Sequence, residues 1–263
     1  MSGTPQPPVA ETFQSTPVRT SYTADGGPGR CRIGLIALSN DYVTERDFIN
    51  MRPTDDVAVF VSRVPNTPEC TVETLRAMAP HITTAASLLV PDGRLDAVAY
   101  SCTSGTVVMG YDSICSYVHA ARPDVPCITP ITASLQALDR FAAEKLAVLT
   151  PYVDDVNGAI ATYLEAHGKH LAGFTSFHIE DNEVMAALPC EAIFEAALEA
   201  DRPDAEALFI SCTAIRAVDV VERIEQALGK PVVTANQALC WQALRAAGYR
   251  EPVTGYGRLL EMI

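Results

Sequence analysis

Asp96-Ala97-Val98-Ala99-Tyr100-Ser101-Cys102-Thr103 and Glu206-Ala207-Leu208-Phe209-Ile210-Ser211-Cys212-Thr213 are two stretches of this sequence that follow one pattern: an acidic residue, four mainly apolar residues and then Ser-Cys-Thr. Short apolar runs bounded by polar residues are typical of buried β-strands. The pattern therefore predicts that Cys102 and Cys212 each stand just beyond the end of a buried strand. Two such thiols are expected to face one shared cleft, an arrangement suited to chemistry on both faces of one carbon atom.

Short apolar runs alternate with segments of helical spacing along most of the chain from Arg32 onward. Alternation of strands with helices indicates parallel β/α units. Besides the two cysteine strands, strands are predicted over Ile33–Leu38, Val57–Val61, Pro126–Ile131, Leu146–Pro151, Gly173–Phe177 and Lys230–Thr234. Helices are predicted over Thr71–Leu89, from Ser134, around Ile160 and Leu164, over Glu191–Ala200, around Leu239–Leu244, and directly after each Ser-Cys-Thr.

The order of elements repeats once within the chain. The separation is 110 residues between Cys102 and Cys212, 105 between Pro126 and Pro231, and 106 between Gln136 and Gln242. Separations this similar indicate an internal duplication. We predict two similar Rossmann-like α/β/α halves with parallel sheets, related by pseudo-twofold symmetry, with the active site in the cleft between them.

The predicted division of the chain follows from this repeat. Residues 1–29 are rich in Pro, Thr, Ser and Gly and are predicted to be a flexible tail. Residues 30–137 form the first predicted α/β domain and residues 138–239 the second. The segment from about residue 240 to residue 263 has no counterpart in the repeat, and we expect it to return to the first domain.

Composition limits the class of partner and the compartment. The chain has 32 acidic and 19 basic side chains, a net charge of −13, which disfavours nucleic acid as a partner. No apolar run approaches the roughly 20 residues of a membrane span, and the N-terminus lacks the features of a signal peptide, so a cytoplasmic protein without membrane contact is expected. The eight dispersed cysteines are expected to be reduced, and neither a metal nor a cofactor site is predicted.

Reactive thiols are plausible at both Ser-Cys-Thr positions on physical grounds. Ligands of parallel α/β sheets bind beyond the carboxyl ends of the strands. A helix beginning after each cysteine would present backbone N–H groups and lower the thiol pKa from about 8.5 toward neutrality. A single cysteine at a strand end is more often an apolar filler, and the other six, including Cys70 and Cys190 at predicted helix starts, are interpreted as structural. The matched context of Cys102 and Cys212 favours catalysis.

The paired Ser-Cys-Thr strand ends, the turn Thr150-Pro151-Tyr152 and the loop Glu180-Asp181-Asn182 resemble the aspartate/glutamate racemase superfamily. Within it the chain is most similar to the branch of maleate cis-trans isomerases and arylmalonate decarboxylases. The segments Ile33–Ile36, Ser39–Asp41 and Thr44–Phe48 resemble the ectoine-utilization protein A group of that branch. The likeness covers about residues 30–263.

The resemblance implies roles for four residues. Cys102 matches the nucleophile that adds to the alkene in maleate isomerases, and Cys212 matches its acid/base partner. Tyr152 and Asn182 match side chains that hold the substrate carboxylates.

Two departures bear on the substrate. Maleate isomerases tend to carry Pro-Ser-Ser-Asn after the first strand, whereas this chain has Leu38-Ser39-Asn40-Asp41. With Asp41 in the position of the carboxylate-binding Asn, a carboxylate would be repelled and an amine or a neutral polar group favoured. Arylmalonate decarboxylases resemble the chain at the second cysteine but lack the first, so Cys102 counts against simple decarboxylation.

The predicted function is that of a cofactor-independent isomerase or racemase acting on a small carboxylate, a maleate-like dicarboxylate or an amino-acid derivative. The narrower likeness implies a role in ectoine breakdown. Abstraction of a proton beside a carboxylate needs donors aimed at the enediolate. Alternatives are a decarboxylase that uses Cys212 alone and a non-catalytic metabolite-binding protein. A homo-oligomer, dimer or tetramer, is expected. The candidate donors for the enediolate are Thr103, Ser104 and Thr213, and the candidate substrate contacts after the first strand are Ser39, Asn40 and Asp41.

Overall fold

The structure is a computed structural model that describes residues 14–262. The first half contains β1 (Cys31–Leu38), α1 (Thr44–Met51), β2 (Val57–Val64), α2 (Val72–Ala77), α3 (Ala79–Ser87), β3 (Ala97–Tyr100), α4 (Thr103–Met109), α5 (Tyr111–His119), β4 (Cys127–Ile128) and α6 (Pro130–Arg140). The second half contains β5 (Lys145–Thr150), α7 (Asp154–Ala166), β6 (His170–Ser176), α8 (Asn182–Ala187), α9 (Cys190–Ala200), β7 (Ala207–Ile210), a 3₁₀ turn (Ala217–Asp219), α10 (Val221–Leu228), β8 (Val232–Thr234), α11 (Ala235–Ala246) and α12 (Arg258–Glu261).

Each half contains one four-stranded parallel sheet, and the two sheets have the same strand order. The first runs β2-β1-β3-β4 and the second β6-β5-β7-β8. The two central strands that precede the cysteines, β3 and β7, are buried along their whole length, which agrees with their continuous apolar sequence. The predicted fold class, two similar parallel α/β halves, is confirmed.

The helix predicted over residues 71–89 is two helices in the structure. α2 begins with Thr71, whose side chain and that of Thr74 form a capping box, and it ends at Ala77. α3 begins at Ala79 with Pro80 in its first turn. Proline has no N–H to continue the hydrogen-bond ladder of the preceding helix, so the chain restarts there.

The last helices of the two repeats, α6 and α11, pack on each other. Gln242 Nε2 donates to Gln136 Oε1 at 2.8 Å, so two glutamines related by the repeat are hydrogen-bonded, as expected for a pseudo-twofold axis between the helices. α11 also contacts α1, β1, β3 and β4 of the first half. The predicted domain boundaries, at residues 137–138 and near residue 240, fall inside these two helices. We propose that the division between the halves runs along this helix pair.

The predicted N-terminal tail is described only in part. Residues 14–29 contain no helix or strand and are almost entirely exposed, while residues 1–13 lie outside the described residues. The flexibility of the tail stays a prediction. Among residues 14–262, no helix has the length and apolar character needed to cross a membrane.

Candidate active site

A pocket lies between the two halves, where the carboxyl ends of their central strands meet. Cys102 lies two residues beyond β3 and Cys212 two residues beyond β7, and both line this pocket. Parallel sheets place their ligand sites at this edge. The lining residues are Leu38, Asn40, Asp41, Asn66, Glu69, Cys70, Leu75, Cys102, Ser104, Tyr152, Asn182, Cys212, Thr213 and Ala214.

Cys102 is the N-cap residue of α4. Its Sγ accepts a hydrogen bond from the Gly105 N–H at 3.2 Å and lies 3.8 Å from Ser104 Oγ. A Cβ atom at residue 105 would lie 2.8 Å from this sulfur and 3.1 Å from the Tyr100 hydroxyl. Glycine is therefore needed for the backbone to approach the thiol this closely.

Cys212 has a different backbone setting. Its φ of +150° is rarely adopted by L-residues. Its Sγ accepts from the Ala214 N–H at 3.2 Å, and the neighbouring Tyr152 hydroxyl lowers the pKa of the same thiol. The helix predicted directly after Thr213 is wrong, because a bend leads to the 3₁₀ turn and α10 begins only at Val221.

The predicted lowering of the thiol pKa values is also wrong for the structure in this closed form. Burial raises the pKa of Cys102 and of Cys212 to about 12 each and outweighs the hydrogen bonds that each sulfur accepts. Both side chains are only 4% exposed. For Cys102, the neighbouring Cys70 and Asp41 raise the pKa further. Both thiols are therefore neutral in the unliganded pocket at pH 7.

Cys70, interpreted from the sequence as a structural cysteine, is a third thiol that lines the pocket. It is 5% exposed, and its Sγ lies 3.7 Å from Ser104 Oγ, so Ser104 lies between the Cys70 and Cys102 sulfurs. Burial raises its pKa as well. The one signal in the sequence is its position in the connection that follows β2, at the same edge of the sheet as the other two thiols.

The segment after β1 contributes two pocket residues and one that lies outside. Asp41 Oδ1 accepts from the N–H groups of Val43 and Thr44 at 2.7 and 2.9 Å, so this carboxylate caps the start of α1 while it faces the pocket. Asn40 lines the pocket with its amide engaged by Thr67 O. Ser39, a predicted substrate contact, does not line the pocket.

Ser39 is hydrogen-bonded to the segment that follows β2 and not to the pocket. Its Oγ accepts from the Asn66 N–H at 3.0 Å. Its position is therefore a correction to the predicted site.

The predicted donors are also divided. Ser104 and Thr213 line the pocket, and Thr213 Oγ1 donates to Ser101 O at 3.3 Å. Thr103 does not line it: its Oγ1 is buried with no hydrogen-bond partner. The prediction that Thr103 meets the substrate through its side chain does not fit this position.

The two residues predicted to hold carboxylates, Tyr152 and Asn182, both line the pocket. Tyr152 is buried beside Cys212, and burial raises its pKa well above the usual value, so it is a neutral donor. Asn182 Nδ2 donates to Pro68 O at 3.0 Å, so its amide holds the covering loop in this closed form.

The pocket is closed by a clasp, which we define as the contact of residues 67–70 with residues 180–182. Glu69 and Asp181 form an antiparallel β-bridge. The Cys70 N–H donates to Glu180 O at 3.1 Å, and the Asn182 N–H to Pro68 O at 3.0 Å. The cavity volume beneath the clasp is about 20 Å³, room for about one water molecule. This conformation therefore has no room for a small carboxylate substrate.

The charged residues that line the pocket are acidic. Asp41 and Glu69 line it, and none of the lining residues in the described part of the chain is Arg, Lys or His. Within residues 14–262, no group of three or more His, Cys, Asp and Glu side chains is arranged to hold a metal ion. Any anion bound in this pocket is therefore held by neutral donors.

Residues 69–260 match the sequence profile of a family described as arylmalonate decarboxylase, a segment well over half of the chain. The chain belongs to the arylmalonate decarboxylase family. Similar curated proteins include the arylmalonate decarboxylase of Bordetella bronchiseptica, 34% identical over 145 residues, and a maleate isomerase of Nocardia farcinica, 32% identical over 131 residues. These alignments cover 52% and 49% of this chain, and 58% and 51% of the relatives, so they span about half of each protein.

Solved structures of this family have the same fold. A cysteine-to-alanine variant of the maleate isomerase of Pseudomonas putida S16 with maleate superposes with a TM-score of 0.80 at 22% identity, covering 88% of this chain and 97% of that one. A liganded variant of arylmalonate decarboxylase superposes with a TM-score of 0.78 at 27% identity, covering 87% and 98%. The predicted branch is confirmed at the level of this family; the narrower likeness to the ectoine-utilization protein A group stays a prediction.

Proposed function

We propose that this protein is a cofactor-independent isomerase or racemase that acts on a small carboxylate with two cysteines. The observation that carries the proposal is the position of Cys102 and Cys212, which lie at equivalent strand ends and face one closed pocket from the two halves. A pocket with a thiol on each side can remove a proton from one face of a carbon atom and return one to the other.

Two routes use this pair. In racemisation, one cysteine as thiolate takes the proton beside the carboxylate, and the other, as thiol, donates a proton to the opposite face. In cis-trans isomerisation, Cys102 Sγ as thiolate adds to one carbon of a double bond, and Cys212 as thiol protonates the other carbon. The resulting single bond rotates, the Cys212 thiolate takes the proton back, and elimination restores the double bond and the Cys102 thiolate. A solved variant of the Nocardia farcinica maleate isomerase is described as carrying a covalently bound succinylcysteine intermediate, which supports the addition route as a precedent in this fold.

The acidic lining favours a substrate that carries an amine beside its carboxylate. Asp41 and Glu69 would repel the second carboxylate of a dianion and attract an ammonium group. Asp41 also raises the pKa of Cys102. A substrate ammonium group paired with Asp41 would oppose this effect and help the thiol to ionise.

The test is hydrogen exchange from solvent into a panel of amino-acid derivatives and small dicarboxylates in deuterium oxide, followed by NMR and chiral chromatography. We expect exchange and inversion, or geometric conversion, with the wild-type protein. Cys102→Ser and Cys212→Ser should each lower turnover by about a thousandfold, since each removes a reacting group. Cys127→Ser, a buried cysteine outside the pocket, is the matched control. Near-normal turnover in either pocket variant would contradict a two-thiol mechanism.

Decarboxylation is the second candidate, and the family match and the 34% identity to the Bordetella bronchiseptica enzyme favour it. In that case Cys212 alone would protonate the enediolate formed when carbon dioxide leaves. Release of carbon dioxide from substituted malonates by the Cys102→Ser variant would establish this reaction and replace the isomerase proposal.

A non-catalytic metabolite-binding protein is the remaining alternative. Substrate-induced protection of Cys102 and Cys212 from iodoacetamide, without exchange or product in any reaction, would favour it. The resemblance supports the proposed membership of the ectoine-utilization protein A group and a role in ectoine breakdown. The proposals of a cytoplasmic location and of a homo-oligomer are kept from the sequence analysis. Light scattering of the purified chain tests the dimer or tetramer directly.

A further inference from the structure

A buried polar network joins the two halves directly beneath the cysteines. The carbonyl oxygen of Thr213, the residue after Cys212, accepts from Asn236 Nδ2 at 2.9 Å and from Thr44 Oγ1 at 3.4 Å. Thr44 Oγ1 in turn accepts from Ser101 Oγ at 2.8 Å, next to Cys102. The peptide after one cysteine is therefore tied to the segment that precedes the other.

Asn236 holds the Thr213 carbonyl because a carboxylate from the other half orients its amide. The second Nδ2 hydrogen of Asn236 donates to Asp47 Oδ2 at 2.8 Å. Asn236 lies in the first turn of α11 and Asp47 in α1, and both side chains are almost completely buried. Both amide hydrogens of Asn236 are thus committed, one to each half of the molecule.

The Cys212 backbone needs such support. Its φ of +150° is costly for a residue with a Cβ atom, and conformations of this kind persist only where the surroundings fix them. No helix follows to hold the peptide, unlike the start of α4 after Cys102. The Thr213 carbonyl is the point where the network grips this segment.

We propose that Asp47 is a positioning residue for Cys212, acting through Asn236 and the Thr213 carbonyl to hold the thiol in its buried orientation. Asp47 is not among the residues that line the pocket, and the proposal gives it no direct part in the reaction. Its effect on turnover rests on the proposed role of Cys212, whereas its effect on the thiol does not.

A purely structural role for Asp47 explains its burial beside Asn236 less well than a positioning role. Burial raises the pKa of Asp47 to about 7 against the opposing effects of Asn236 and Arg46, so the site keeps a group that is costly to bury. Arg46 is also paired with Asp219, so Asp47 is not its sole partner. An apolar residue of similar size would hold α1 in place without this cost.

The experiment is site-resolved alkylation by iodoacetamide, followed by mass spectrometry, which compares the rate at Cys212 with the rate at Cys102 in the same molecule. In Asp47→Leu and Asn236→Leu we expect the ratio of the Cys212 rate to the Cys102 rate to rise at least about fivefold, because Cys212 is released from its buried position. Asp47→Asn keeps an acceptor for Asn236 and should stay within about twofold of the wild type. Glu225→Gln, which alters a buried carboxyl group that accepts from Val232 N–H, is the matched control and should leave the ratio unchanged.

Equal acceleration of alkylation at both thiols in Asp47→Leu would indicate general loosening of the structure and overturn the proposal. An unchanged ratio of the two rates would also overturn it. So would a change of this ratio in Asp47→Asn as large as that in Asp47→Leu. If the single leucine variants do not fold, the double variant Asp47→Leu/Asn236→Leu replaces the polar pair by an apolar one and is tested in the same way. Amide hydrogen exchange across residues 211–214 is the second measurement. It should accelerate at least about tenfold in the variants that release Cys212. Unchanged exchange there would also overturn the proposal.

Discussion

The Tyr152 hydroxyl lies beside the Cys212 thiol in a cavity with room for about one water molecule. This contact lowers the pKa of Cys212, against the larger effect of burial, which raises it to about 12. Tyr152 itself stays protonated because burial raises its pKa. The pair therefore joins a permanent donor to a thiol that must ionise in order to react.

Replacement of Tyr152 by Phe should raise the pKa of Cys212 further, since it removes a hydrogen bond to the thiolate and keeps the burial. We expect turnover to fall by about 10- to 100-fold. The alkylation rate of Cys212 should reach its half-maximum at higher pH than in the wild type, while that of Cys102 keeps its midpoint. An unchanged Cys212 midpoint would show that the hydroxyl does not stabilise the thiolate.

Gly105→Ala should disable Cys102 without touching the thiol chemically. The added Cβ atom would lie 2.8 Å from the sulfur and 3.1 Å from Met78 Cε, so either these side chains or α4 must shift, and the free energy of unfolding should fall by about 1–3 kcal/mol. We expect slower alkylation and turnover, measured with denaturant unfolding on the same sample. Gly158→Ala is the control: it is an exposed position inside α7 with no atom within 4 Å, where alanine should stabilise the helix by about 1 kcal/mol. Equal behaviour of the two variants would argue against the close approach at Gly105.

Asp41→Asn should change which substrate is preferred and leave the fold intact. Asn also caps helices well, so the hydrogen bonds to the N–H groups of Val43 and Thr44 can be kept. Removal of the negative charge should improve kcat/KM for dicarboxylates relative to amine-bearing carboxylates by about tenfold or more, a change of about 1.4 kcal/mol in relative binding. Competition assays on paired substrates measure the ratio. A ratio that stays constant would assign selectivity to Glu69 or to neutral residues.

The buried Asp47 should make stability depend on pH in a defined direction. Its pKa rises from 3.8 to about 7 on folding, so the folded state binds the proton more tightly. The free energy of unfolding should therefore fall as pH rises from about 4 to about 7, by up to about 1.4 kcal/mol per pH unit from this group, and then level off.

Asp47→Asn removes that contribution, and urea unfolding followed by circular dichroism at several pH values measures the difference from the wild type. Asp55→Asn, at a side chain that is 98% exposed, provides the comparison for general charge effects. A difference between wild type and Asp47→Asn that is flat from pH 4 to 7 would contradict the raised pKa.

Local patterns sufficed to predict the sheets and the placement of Cys102 and Cys212, because buried parallel strands are short apolar runs and their carboxyl ends meet at one edge. What they missed depends on distant contacts. Cys70 reaches the pocket because a β-bridge between Glu69 and Asp181 draws its loop over the site, and these residues are 112 positions apart. The high thiol pKa values have the same origin, since burial by both halves is not visible in either cysteine's neighbours along the chain.

Ser39 and the segment after Cys212 illustrate a second limit. Ser39 follows a strand that ends at the pocket, but its hydroxyl accepts a hydrogen bond from the Asn66 N–H and does not line the pocket. Residue type alone does not decide between a contact with the pocket and a contact with the neighbouring loop. After Cys212 the sequence favours a helix, yet the positive φ turns the chain away and delays α10 until Val221.

The duplication therefore persists in the sheets and is lost at the thiols. Cys102 caps the start of α4, whereas Cys212 lies on a backbone bend that no helix directly follows. The two equivalent ends of a symmetric ligand would therefore meet two different environments in this pocket. The two faces of a planar carbon atom would likewise meet differently held thiols before any bond is made, so proton transfers at the two faces need not have equal barriers.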